Sequence, residues 1–167
     1  MKKNAISVLS LLLILVPTSP LLASNLEGLK AAEKDDYKTA FTQWQALANQ
    51  GDVNTQATIA VLYHAGQGVN KDYEKAFYWY KKAAEQGNAA AQANLGVMYA
   101  KGTGTARDMI QSYAWYSLAA TVHKDKKVGN TLWGIEAVAS RLSATDLEKA
   151  KQLARQYTKK YIAKKTP

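Results

Sequence analysis

His64 and His123 are the two side chains in this sequence that titrate near neutrality, and their setting decides what chemistry is open to them. A zinc site of the H-E-x-x-H type needs two imidazoles one helical turn apart, and no such pair occurs. There is no cysteine, which removes disulfides, cysteine-based metal sites and thiol nucleophiles. A serine nucleophile needs a setting such as G-x-S-x-G or S-x-x-K, and neither is present. The Gly66-Gln67-Gly68 and Gly102-Thr103-Gly104 triplets lack the G-K-[ST] of a phosphate loop, and they follow helical patterns rather than strands. Both histidines therefore read as surface or loop residues. The expectation is a non-enzyme with no catalytic residues, no metal and no cofactor.

Binding chemistry has more material. The pairs Trp79-Tyr80 and Trp115-Tyr116 have the flat faces needed to stack on sugars or bases. They recur beside alanines on an apolar helical stripe, so core filling accounts for them better. Trp133 has no counterpart and is the aromatic expected to be partly exposed. Basic residues gather near the end, at Lys149, Lys151, Arg155, Lys159, Lys160, Lys164 and Lys165. A solvated face explains such a run; an anionic partner is the functional alternative.

The elements that position these residues repeat. Shifted by 36 residues, Gln56, Ala57, Val61 and Tyr63 return as Gln92, Ala93, Val97 and Tyr99. Gly66, Gly68 and Asp72 return as Gly102, Gly104 and Asp108, and the Trp-Tyr pairs and Ala83-Ala84 and Ala119-Ala120 follow suit. An earlier half-copy runs through Asp36, Tyr37, Ala40, Phe41, Ala48, Gln50 and Gly51. A fixed period of this length marks a solenoid, whose units bury their apolar faces only by stacking.

This pattern, with Ala93, Leu95, Gly96, Tyr99, Gly102, Gly104, Asp108, Trp115, Tyr116, Ala119 and Ala120 in its fullest copy, resembles the Sel1-like repeat, a relative of the tetratricopeptide repeat. Ile59 and Ala60 replace Leu-Gly in the first copy; Thr105, Ser112 and His123 depart in the second, changes expected to loosen local packing. The resemblance implies an all-α fold: an α-solenoid of helix-turn-helix repeats in a short right-handed superhelix, closed by a C-terminal capping helix pair. It also implies an adaptor role.

The expected divisions are 1–23 signal peptide, 24–51 N-terminal helical half-repeat, 52–87 first repeat, 88–123 second repeat, and 124–167 capping helices with a basic tail. Lys2 and Lys3, the apolar run Ala5 to Val16, the breakers Pro17 and Pro20 and the small residues Ala23 and Ser24 read as a secretory leader cleaved near Ala23. The apolar run is shorter than the roughly 20 residues of a membrane span. A bacterial periplasmic or secreted location is expected. Leu26, Leu29 and Ala32 or Glu33 suggest one apolar stripe. Val128 to Leu142 reads as a helix with Leu132, Ile135, Val138 and Ala139 facing in, and Ser143 and Asp146 suggest a capping box before a last helix from about Thr145 to Tyr161. Small residues at Ala60 and Gly96 let helices approach, with Tyr63 or Tyr99 filling the adjacent space.

With hydrophobic content of 47% and 22 basic against 13 acidic residues, the chain is folded and cationic. The partner expected is a protein or peptide, held where the first helix of each repeat faces the inner wall. That places Asn54, Thr58, Val61, Ala90, Asn94, Val97 and Lys101 in a groove, where amides bond a main chain and Lys101 meets a carboxylate. The alternative partner is an anionic envelope surface, such as lipopolysaccharide, cell wall or membrane, held by the basic tail. A cell-wall-active enzyme ranks below both, and nucleic acid is not expected.

Overall fold

A computed structural model describes residues 20–122 and 131–162. The described residues form eight helices and no strand: α1 (Pro20–Ala32), α2 (Tyr37–Asn49), α3 (Val53–Ala65), α4 (Tyr73–Glu85), α5 (Ala89–Lys101), α6 (Met109–Val122), α7 (Thr131–Ala139) and α8 (Ala144–Ile162). Consecutive helices pack on one another from α1 to α6, and α6 then carries both α7 and α8. The expected all-α solenoid is the observed fold. Residues 1–19 of the expected leader and His123 lie outside the described residues, as do Lys164 and Lys165.

The period begins in the caps. Asp36, Asp52, Asp72 and Asn88 each accept a hydrogen bond from the backbone N–H three residues on, at 2.8–3.1 Å. Asp108 does the same for Gln111. Each fills a donor the first helical turn leaves orphaned. Helices α2 and α4 end in paired bonds that close on glycine: Gly51 N–H donates to Ala48 and Asp52 N–H to Leu47, and Gly87 and Asn88 repeat this on Ala84 and Ala83.

The Gly-x-Gly triplets do two different jobs. Gly66 and Gly102 end α3 and α5 in the left-handed conformation, as helix stops should. Gly68 and Gly104 bring backbone against backbone. A Cβ on Gly68 would lie 2.2 Å from the Tyr37 carbonyl oxygen, and one on Gly104 would lie 2.1 Å from that of Tyr73. Each second glycine thus seats one repeat on the start of the preceding unit's second helix. Only glycine fits.

Buried glutamines tie the same joints. Gln56 Nε2 donates to the Ala48 carbonyl at 3.1 Å, and Gln92 Nε2 to that of Ala84 at 3.0 Å. The core between them is Phe41, Trp44, Leu47, Ile59, Trp79, Tyr80, Leu95, Met98, Trp115 and Leu118, with alanines wherever helices come closest.

Several expectations change. Ala23 and Ser24, where cleavage is expected, lie within the described span of helix α1 (Pro20–Ala32). Its leucines do not form a buried stripe: Leu26 and Leu29 are 50% and 49% exposed, and Gly28 is the residue that meets α2. Helix α7 ends at Ala139, before the expected Leu142, and Leu132 points out at 64% exposure while Val138 faces in. The ring against Gly96 belongs to Tyr116 on the paired helix, not to Tyr99 on its own. Ser112 tightens its site: it is buried and donates to the Gly96 carbonyl at 2.7 Å.

Candidate functional site

The outward face of the first helix in each pair holds the residues expected to line a groove. Asn54, Val61, Ala90 and Lys101 are exposed, and Thr58, Asn94 and Val97 are half-buried. They lie opposite a packed face made of Gln56, Ile59, Ala60 and Tyr63 on α3 and Gln92, Leu95, Gly96 and Met98 on α5. Asn54 and Ala90 come together at a hollow of about 440 Å³ between the start of α3 and the α4–α5 turn, walled also by Val53, Gln86 and Asn88. The other five residues of the set line no part of it.

Packing contacts extend this face to α1. Gly28 meets the Trp44 ring as Gly96 meets that of Tyr116, and Trp44, Tyr80 and Tyr116 are period-equivalent. Gly28 therefore stands where Ala60 and Gly96 stand, the loop after α1 being shorter by about one helical turn. In that register Leu22, Leu26 and Leu29 occupy the places of Asn54, Thr58 and Val61. The exposed leucines thus head a series of equivalent outward positions, followed by amides and valines and ending at Lys101. The shorter loop breaks the 36-residue register, so repeat alignment alone missed these positions.

The basic tail resolves into separate faces. Lys149 pairs with Asp146 at 2.9 Å and Lys160 lies over the Tyr161 ring at 4.8 Å. Lys151, Arg155 and Lys159 line a hollow of about 500 Å³ between α6 and α8, facing Tyr113, Ser117 and Thr121. Lys151 is held by Glu148 at 2.7 Å. Helix α8 is anchored through Tyr157, whose hydroxyl donates to Gln111 at 2.6 Å, and through Trp115, which packs against Tyr157 and Tyr161. Burial pushes the Tyr157 phenol up to about 12, so it stays a donor across the physiological range.

The remaining chemical candidates of the sequence are placed as follows. Trp79 and Trp115 are buried, as core filling requires, while Trp133 is 70% exposed beside Leu132. His64 packs edge-on to Tyr73 at 5.1 Å with Lys101 and Lys71 near, and burial first, then those cations, hold its pKa below the usual histidine value. No group of three His, Cys, Asp or Glu residues among the described residues is placed to hold a metal. Nor is any described helix long and apolar enough to cross a membrane.

A profile of the Sel1 repeat matches residues 56–88 and 89–121. Among solved structures, the chain is similar to a protective antigen present in uropathogenic Escherichia coli strains that displays an SLR fold. The identity is 31% and the TM-score 0.78, over 87% of this chain and 31% of that one. A Sel1 repeat protein from Oxalobacter formigenes is 29% identical with a TM-score of 0.62, over 70% of this chain and 88% of that one. The chain thus spans under a third of the length of the antigen it matches. No curated protein matches it.

Proposed function

The chain belongs to the Sel1 repeat family, and from that premise we propose that it is a non-catalytic scaffold that holds a protein or peptide partner. The observation that carries this reading is the series of equivalent outward positions on α1, α3 and α5. Leu26 and Leu29 give it an apolar end, Asn54 and Asn94 offer amides in its middle, and Lys101 supplies a cation at its close. An extended or helical segment with apolar residues at one end and a carboxylate at the other matches that order. The setting we propose is the bacterial envelope or the space outside the cell, on the strength of the leader-like first residues.

The test uses partners recovered with the purified protein from a periplasmic fraction. The double change Asn94→Ala with Lys101→Glu alters the face without touching the packed side, so circular dichroism and melting should hold. Binding of a specific partner should fall by tenfold or more. A further change, Leu26→Ser with Leu29→Ser, should weaken the same partner. Full affinity in both variants would remove this face from the reading.

A further inference from the structure

We infer that the hollow between α6 and α8 is a second binding site, separate from the face of α1, α3 and α5, and that it takes an acidic peptide segment. Its two walls are built on the same step. Lys151, Arg155 and Lys159 recur every four residues along α8, and Tyr113, Ser117 and Thr121 recur every four residues along α6. Four helical residues advance about 6 Å, so each wall presents a group every 6 Å for about 12 Å. Alternate side chains of an extended strand are spaced about 6.6 Å apart and point the same way. Acidic residues at alternate positions therefore meet successive cations, while the main chain between them faces the hydroxyls.

Charge balance favours an occupant from outside. The ion pairs among the described residues are Lys75–Asp72, Lys149–Asp146 and Lys151–Glu148. Arg155 and Lys159 belong to none of them, and both are exposed. A guanidinium beside an ammonium one turn away suits carboxylates, which Arg binds through two parallel hydrogen bonds. The opposite wall adds no charge: Ser117 and Thr121 replace what are Lys81 and Glu85 one repeat earlier. The swap takes away one cation and one carboxylate, so this wall offers hydroxyls and neither repels nor neutralises what the α8 cations hold.

A membrane surface is the other anionic candidate, and the placement of cations counts against it. Lys149 and Lys160 flank the buried stripe of Ala150, Ala154 and Tyr157 on the side away from the hollow. A bilayer would be met by basic residues gathered on one outward face. Here they are divided between two.

The experiment measures fluorescence anisotropy of the full chain with a labelled peptide of alternating glutamate and serine, (Glu-Ser)4, and with its lysine counterpart. The glutamate peptide should bind and the lysine peptide should not. Arg155→Ala with Lys159→Ala should weaken binding at least tenfold. Lys149→Ala with Lys160→Ala makes the same change in net charge on the other flank and should weaken it less than threefold. All four residues are exposed, so both variants should melt with the parent. Equal losses in the two variants would reduce the effect to diffuse charge and overturn the site. Binding to phosphatidylglycerol vesicles without binding to the peptide would overturn it in favour of a membrane.

Discussion

The two repeats share a backbone plan but differ in how they satisfy it. In the first, two buried alanines, Ala60 on α3 and Ala76 on α4, hold these places, and neither side chain can make a hydrogen bond. In the second, the same two places hold Gly96 and Ser112, and the serine hydroxyl reaches the glycine carbonyl. The buried glutamines differ in the opposite sense. Gln56 Oε1 accepts from Gln86 at 2.7 Å, whereas Gln92 Oε1 has no partner among the described residues. The residue one period after Gln86 is Val122, which carries no donor. Each repeat thus gains one buried polar bond that the other lacks. What both keep is the backbone joint at the second glycine.

That joint should give the largest effect. Gly104→Ala sets a Cβ into the Tyr73 carbonyl at a position with φ of +70°, so both contact and conformation oppose it. Loss of about 3 kcal/mol or more is expected from a main-chain clash added to backbone strain. Gly68→Ala should match it at the first joint, because Tyr37 stands there as Tyr73 does. Urea midpoints measure both. If either change leaves the midpoint in place, the joint does not govern the stacking and the comparison between repeats loses its fixed reference.

The small residues come next, and here the repeats should part. Gly96→Ala brings a Cβ to 2.8 Å from the Tyr116 ring, so the ring must move; about 2 kcal/mol is expected from overpacking. The reciprocal change, Ala60→Gly, removes a buried methyl and loosens a helix interior, with a loss of about 1 kcal/mol. Thermal melts of the two variants, each against the parent, read the asymmetry. If Gly96→Ala stabilises, α5 and α6 have room to spare and the glycine is only a tolerated substitution.

Much of this was legible in the sequence because the joints impose the period. Asp and Asn caps, glycine stops and the paired aromatics all recur at positions where backbone geometry leaves few alternatives, so reading them as all-α repeats followed directly. The misreadings lie where one repeat trades contacts with another element. Tyr116 fills the space at Gly96 because the paired helix presents its ring there, which a scan along one helix does not reveal. Leu26 and Leu29 have core spacing but are half exposed on α1, in the register of the outward-facing Thr58 and Val61 and not of the packed face. The basic tail reads as a single run in sequence, while three-dimensional placement divides it between the α6 hollow and the far flank of α8.

His64 offers the smallest and most local test of the difference between repeats. It stands in the last turn of α3 against Tyr73, and its counterpart one period on is Ala100, so only the first repeat carries an ionisable group there. Burial lowers its pKa below the usual histidine value, and the nearby Lys101 and Lys71 push the same way. The folded state therefore disfavours the charged imidazole more than the unfolded chain does. Its favourable contribution is fully present above pH 6.5, the unfolded value, and fades as pH falls through the lower folded value. Melting temperature should drop modestly as pH goes from 7 towards 5, and His64→Gln, which carries no charge at either pH, should flatten that part of the profile. The carboxylates are common to both proteins, so the difference between the two profiles reports His64 alone. A wild-type profile that matches His64→Gln throughout would place the imidazole in water, and the first joint would carry no pH dependence of its own.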